Sequence, residues 1–278
     1  MNALSPARRP RALVFDSGLG GLTVFARIAE ARPDLELVYA ADDAFFPYGA
    51  LDEAALVARV KELMTALIGR HAPDLVAIAC NTASTLVLPP LRAAYPRLPF
   101  VGTVPAIKPA ALASKTRLIS VLATPGTVAR DYTRALVRDF AGDCEATLVG
   151  APHLAEIAER FLRGEAIDEA EVAREIAPCF VERGGRRTDH VVLACTHFPL
   201  LADHLRRLAP WPVAFVDPAP AIARRVDALL GRRAAPQRGP GLSLAVFTSG
   251  RTPSPALRKA LRDRGLAVTS ADERAPAT

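Results

Sequence analysis

With 278 residues, half of them hydrophobic, the chain can hold one large or two ordinary domains and is too apolar to be disordered. Its formal charge of +6 comes from arginines scattered in small groups such as Arg186-Arg187 and Arg224-Arg225, which read as solvated surface and argue against nucleic acid as the partner. No apolar run approaches the roughly 20 residues of a membrane span, the four cysteines lack CxxC spacing and the five histidines lack zinc spacing, so a membrane protein, a disulfide scaffold and a metal centre are set aside.

The chain opens on a basic stretch, Met1 to Arg11, but the apolar run after it stops at Asp16. No signal peptide is expected, and the cysteine usage fits a reduced cytoplasm. Residues 12–15 form a short buried-type strand, followed at once by Asp16-Ser17-Gly18-Leu19-Gly20-Gly21 and by a helix over 22–31 that stops before Pro33. Glycines between a strand and a helix let backbone N–H groups approach an anion at the positive helix end. The spacing departs from the dinucleotide GxGxxG, so the expected guest is a small carboxylate, with a plain tight turn as the alternative.

A second strand over 35–40 opens into Asp42-Asp43-Ala44-Phe45-Phe46-Pro47-Tyr48-Gly49, a loop of the kind that lines a pocket. Leu56, Val60, Leu63, Met64 and Leu67 recur at helical spacing and predict a helix over 52–70. The third strand ends at Cys80, and a helix from about Asn81 is expected to end before Pro89-Pro90. After Phe100-Val101, the segment Gly102-Thr103-Val104-Pro105 marks a crossing into a second unit.

There the order repeats. A strand over 117–122 ends in Ala123-Thr124-Pro125-Gly126-Thr127, a strand over 146–149 ends in Gly150-Ala151-Pro152, and His190 to Ala194 runs to Cys195. The runs ending Ala79-Cys80 and Ala194-Cys195 are offset by 115 residues, and the offset persists in Phe100-Val101 with Phe215-Val216 and in Pro105-Ala106-Ile107 with Pro220-Ala221-Ile222. Next come a strand over 213–216, Asp217-Pro218 as a helix N-cap with proline at the first helical position, a loop over 232–241, a strand over 244–247 and a helix capped by Ser254-Pro255. The fold class is therefore α/β: two pseudo-symmetric α/β domains with mainly parallel sheets and the active site in the cleft between them. The expected boundaries are 1–101, completed by 212–278, and 102–211, with the last residues frayed.

An isolated cysteine is more often a small buried hydrophobe than a nucleophile, but here two share one repeated context. A cysteine opening a helix sits near the positive helix end, which lowers a thiol pKa. Cys144 and Cys179 carry no polar signature and read as structural. Two facing thiols can act as acid and base on opposite sides of one carbon, giving the mirror image of the substrate without a cofactor. Asn81, Thr82, Thr196 and His197 would supply donors to the developing charge.

These motifs, Asp16 to Leu22, Asp43 to Gly49, Ala79-Cys80-Asn81-Thr82-Ala83, Pro105-Ala106-Ile107-Lys108-Pro109 and Cys195-Thr196-His197-Phe198-Pro199-Leu200, together resemble the cofactor-independent glutamate racemases over about residues 12–250. The resemblance implies that Cys195 handles the proton of L-glutamate and Cys80 that of D-glutamate. It implies that Asp16, Ser17, Tyr48, Gly49, Asn81, Thr82, Thr196 and His197 contact substrate, with Asp16 and His197 assisting their respective thiols. Glu159 matches an auxiliary carboxylate, with an exposed helix glutamate as the alternative, and Thr127 is a further contact. It also implies D-glutamate supply for peptidoglycan and cell-wall biogenesis, a homodimer, and in some members a cell-wall-precursor activator. The aromatic version at residues 42–46 departs from the family pattern. The rivals are a two-cysteine racemase of aspartate or another small acid, and a protein that contacts DNA machinery through its basic surface.

Overall fold

In the computed structural model, which describes residues 8–231 and 243–268, strands and helices alternate as the apolar periodicity requires. The first half runs β1 (Arg11–Asp16), α1 (Leu22–Ala31), β2 (Glu36–Ala41), α2 (Glu53–His71), β3 (Leu75–Ile78), α3 (Asn81–Ala94) and β4 (Phe100–Gly102). There follow α4 (Ile107–Ala113), β5 (Leu118–Ala123), α5 (Pro125–Val128), α6 (Asp131–Phe140), β6 (Glu145–Gly150), α7 (Leu154–Leu162) and α8 (Glu169–Ile176). A small hairpin of β7 (Glu182–Arg183) and β8 (Arg186–Arg187) leads to β9 (His190–Leu193), α9 (Ala202–Leu208) and β10 (Ala214–Val216). The chain closes with α10 (Ala219–Leu230), β11 (Ser243–Phe247), α11 (Pro255–Arg262) and β12 (Ala267–Val268). The loop expected over 232–241 and the frayed end lie outside the described residues. Among the described residues no helix is long and apolar enough to cross a membrane.

The strands form two parallel sheets, β12-β11-β2-β1-β3-β4 and β10-β9-β5-β6. Read from one edge, β2-β1-β3-β4 and β6-β5-β9-β10 have the same order. The repeat in the sequence is thus a repeat of topology: β3 and β9 are offset by the same 115 residues, and each is followed by its cysteine. β10 hydrogen-bonds to β9, so residues 214–216 belong to the second sheet, and only from α10 onward does the chain pack back on the first.

Alternation along the strands places the cores. Ala12 and Val14 face a cluster with Phe25 and Ile28 of α1, Val226 of α10 and Leu261 of α11. Leu13 and Phe15 face the opposite cluster, with Val60, Met64 and Leu67 of α2 and Leu91 of α3. The second sheet is covered likewise, by α7, α8 and α9 on one face and by α4 and α6 on the other. Each large apolar side chain so buried contributes about 1.5–3 kcal/mol.

Two local expectations are corrected. α3 does not stop before Pro89-Pro90 but runs through them to Ala94. The prolines remove two N–H donors, yet Val87 and Leu91 are fully buried, and that packing outweighs the lost bonds. At α10 it is Pro218, not Asp217, that takes the N-cap position; Asp217 still accepts the Ala219 N–H at 2.9 Å from one residue further out.

The loop over 42–49 is held by a buried carboxylate. Asp42, with no exposed surface, accepts from Arg59 Nη2 (2.9 Å) and Nε (3.1 Å), Tyr48 Oη (2.7 Å) and Thr248 Oγ1 (2.6 Å). Asp43 accepts from the Ser249 backbone and hydroxyl, and the Arg59 guanidinium lies 4.2 Å from the Phe45 ring centre. Removing the acceptor leaves the buried Tyr48 hydroxyl without a partner and the half-buried Arg59 guanidinium without its counter-charge. Asp42→Ala is therefore expected to lower the unfolding free energy by about 3 kcal/mol, read as a lower urea midpoint at unchanged slope. An unaltered midpoint would show that the cluster does not hold the loop.

Candidate active site

Both sheets present the carboxyl ends of their strands to one narrow cavity of about 20 Å³, whose walls include Ser17, Phe46, Tyr48, Gly49, Cys80, Asn81, Thr82, Thr124, Cys195, Thr196 and His197. A larger cleft at Pro10, Pro73, Tyr95 and Pro99 lies at the opposite strand ends, and its one carboxylate, Asp74, is tied to Arg8 and to the Arg11 N–H.

Cys80 follows β3 and stands at the N-cap of α3. Its Sγ lies 3.6 Å from Ser17 Oγ. The helix start was expected to acidify this thiol, but burial, seconded by the nearby Asp16 charge, pushes it up to about 12, against the opposing Ala83 N–H and Ser17. Cys80 therefore carries its proton at neutral pH.

Asp16 ends β1 directly behind. Burial raises it to about 6, while His197 and the Gly21 and Gly18 N–H groups pull the other way. Its carboxylate accepts from Gly18 N and from Thr196 Oγ1, both at 3.2 Å. Here the expectation for the glycine loop is corrected. Its N–H groups face protein side chains: Gly18 donates to Asp16 and Leu19 to Glu159 Oε1 (2.5 Å), and Gly20 N lies 3.2 Å from His197 Nε2. The glycines serve close approach, since a Cβ at Gly20 would sit 2.5 Å from the His197 ring and one at Gly18 2.4 Å from Glu159.

Cys195 follows β9, with His197 Nδ1 3.7 Å from its Sγ. His197 Nε2 is 3.0 Å from Glu159 Oε1 on α7. Burial lowers the imidazole's affinity for a proton, but Cys195 and Glu159 more than offset it, so His197 is held well above its ordinary value. Glu159 is itself kept below the usual range: burial works against ionisation, and His197, the Leu19 N–H and Arg163 overcome it. It is a buried partner of His197 and not an exposed helix glutamate.

Of the remaining residues singled out from the sequence, Asn81 projects into the site with Nδ2 and Oδ1 buried and unpaired within the protein. Buried amides are normally satisfied, so this pair is available to a ligand. Thr82 Oγ1 lies 3.4 Å from Thr124 Oγ1 and 3.2 Å from Thr127 Oγ1, a hydroxyl group drawn from both sheets. Tyr48 lines the cavity, but its hydroxyl donates to Asp42. Gly49 abuts Gly126, where a Cβ would meet the Gly49 carbonyl at 3.1 Å. Phe46, which the sequence placed in a pocket-lining loop without singling it out, has its ring centre 5.2 Å from that of His197, and sequence reasoning missed Arg163, whose Nη2 donates to Glu159 Oε2 at 2.9 Å. Phe46 was visible only as part of the aromatic departure at 42–46, and Arg163 had no signal beyond its helical spacing from Glu159. Among the described residues no group of three or more His, Cys, Asp or Glu could hold a metal ion.

Residues 19–226 match the sequence profile of the Asp/Glu/Hydantoin racemase family. The chain is 58% identical to glutamate racemase of Brucella anthropi over 94% of its own length and 93% of that protein's. The solved structure of Escherichia coli glutamate racemase with L-glutamate and the activator UDP-MurNAc-Ala superposes with a TM-score of 0.85 at 39% identity, covering 94% of this chain and 97% of that one. The glutamate racemase of Aquifex pyrophilus gives a TM-score of 0.71 at 25% identity over 94% and 98% of the two chains. The chain belongs to the Asp/Glu/Hydantoin racemase family and is an amino-acid racemase.

Proposed function

We propose that the protein interconverts L- and D-glutamate, with Cys80 and Cys195 as the two proton-transfer groups, and so supplies D-glutamate for peptidoglycan. The reading rests on one observation above all: two cysteines at equivalent strand ends of two like sheets border a single cavity. The glutamate racemases among its relatives support the choice of substrate. Cytoplasmic location, a homodimer and response to a cell-wall precursor, of the kind bound to the Escherichia coli enzyme, belong to the same reading. So does a division into two domains, one built on each sheet, with the chain returning to the first after β10.

In the L-to-D direction Cys195, as thiolate beside the His197 imidazolium, takes the Cα proton. The Cys80 thiol gives its own proton to the opposite face of the carbanion. The product is the enantiomer, and the protein is left with a Cys195 thiol and a Cys80 thiolate. Asp16 and His197 stand where protons can be exchanged to restore the starting form. Asn81 and the hydroxyls of Ser17, Thr82 and Thr196 hold the substrate carboxylates and ammonium group, fixing Cα between the sulfurs. The two thiols perform both proton transfers, so the cycle requires no cofactor.

Wild-type protein in deuterated buffer is expected to abolish the circular dichroism of either glutamate enantiomer while placing deuterium at Cα. Cys80→Ala and Cys195→Ala should each lose at least about 100-fold in turnover, the usual weight of a general acid or base. A single variant turning over at the wild-type rate would sink the two-thiol mechanism. Wild-type action on aspartate alone would move the substrate and keep the chemistry.

Asp16 generates a pH prediction. Its folded pKa lies at about 6, above the ordinary 3.8, so ionising it costs stability that is present below the lower value and lost as pH rises through the higher. Turnover needs the ionised form beside Cys80, so kcat/KM should fall as pH drops through about 6. Asp16→Asn is expected to cost roughly 100-fold in turnover and abolish that limb, while keeping or raising the urea midpoint at alkaline pH. An unchanged acid limb in the variant would remove Asp16 from the proton path.

A further inference from the structure

A line of four groups with alternating charge runs from the protein's edge to the second thiol: Arg163, Glu159, His197 and Cys195. Arg163 Nη2 donates to Glu159 Oε2 at 2.9 Å, Glu159 Oε1 meets His197 Nε2 at 3.0 Å, and His197 Nδ1 lies 3.7 Å from Cys195 Sγ. In sequence the first contact is an ordinary i,i+4 helix pair, of a kind that contributes little when exposed. Its setting is different. The Glu159 side chain is only 8% exposed, and its other oxygen serves the catalytic histidine.

Arg163 is itself anchored. Its carbonyl accepts the hydroxyl of Ser254, the N-cap of α11, at 3.1 Å, and the next residue, Gly164, packs so closely that a Cβ there would sit 2.6 Å from Ala256. The guanidinium therefore reaches Glu159 from a fixed base supplied by α11, a helix that packs on the first sheet.

We propose that Arg163 is a positioning residue for the Cys195 half-site: it fixes the Glu159 carboxylate in place and in its ionised form, and through Glu159 it holds His197 as the imidazolium that supports the Cys195 thiolate. This rests on the two-thiol reading given above. The charge balance gives the reason. With Arg163 present, two cations and two anions alternate. Without it, the Glu159 carboxylate loses the hydrogen bond and counter-charge that favour its ionised form, so the proton between Glu159 Oε1 and His197 Nε2 moves to Glu159; the net charge of the three groups is unchanged, but one buried charge remains in place of three. Cys195 then loses its cationic neighbour. Cys80 is served by Ser17 and Asp16, and the change reaches Asp16 only as the joint loss of the His197 and Glu159 charges, which act on it in opposite senses.

The test exploits the symmetry of the reaction. Enantiomers have equal free energies, so kcat/KM must change equally in both directions, and the damaged face is read from isotope effects instead. Primary deuterium effects on kcat/KM with L- and D-[2-²H]glutamate divide the barrier between the two proton transfers. Cys195→Ser and Cys80→Ser, run in the same assay, define which skew belongs to which face. Arg163→Gln is expected to lower kcat/KM about tenfold, the size of one charge-assisted hydrogen bond, and to skew the two isotope effects in the sense of Cys195→Ser. Arg163→Lys, which keeps the charge, should return the ratio toward wild type. An unskewed ratio in Arg163→Gln, or equal skews in the glutamine and lysine variants, would overturn the proposal. If the two serine variants fail to skew the ratio in opposite senses, the two-thiol reading falls first.

Discussion

The site depends on how closely two strand-end loops approach each other. Two thiols can address opposite faces of one carbon only if the carboxyl edges of two sheets are brought together, and loops there would ordinarily keep backbones apart. Gly18 and Gly20 permit the contact, because a Cβ at either would overlap Glu159 or His197. The N–H groups of residues 18–20 then do two things at once. They satisfy a buried carboxylate of their own half and bind a carboxylate of the other, with the His197 ring packed against them. The same atoms that close the cleft also set the charge of the groups inside it.

Like topology does not produce like chemistry. Both cysteines end the third strand of a repeated unit, yet Cys80 faces the anion Asp16 and Cys195 faces the cation His197. One thiol is held protonated by burial and repulsion; the other is supplied with a counter-charge through His197 and Glu159. The two-thiol mechanism proposed above needs one thiol to hold a proton while the other accepts one, and the unlike neighbours of Cys80 and Cys195 suit that division. A symmetric pair of sites would leave the resting protonation undecided.

Much of this was legible in the sequence. The alternation of apolar runs with helical spacing, and the 115-residue offset of Ala79-Cys80 and Ala194-Cys195, gave both sheets and the position of each thiol. What was hidden depends on tertiary placement. Helix-end reasoning suggested an acidified Cys80 because the helix start is local, whereas the burial and the Asp16 charge that reverse it come from packing. The glycine loop looked like an anion cradle because its donors were visible and their partners, Glu159 and His197, lie more than a hundred residues away. Pro89-Pro90 looked like a stop because local propensity cannot register the burial of Leu91. The membership of β10 in the second sheet is likewise a matter of pairing.

The lining of the cavity fits this electrostatic division. Among the described residues that border it, none is lysine or arginine; its donors are Asn81, the hydroxyls of Ser17, Thr82, Thr124 and Thr196, and the opening turn of α3. A lysine or arginine at this distance would bind a dicarboxylate more strongly, but it would also stabilise the Cys80 thiolate and erase the contrast between the thiols. Neutral donors and a helix start hold carboxylates by hydrogen bonds with only partial charge. Of the basic groups, His197 borders the cavity beside Cys195, and Arg163 is kept one layer back against Glu159.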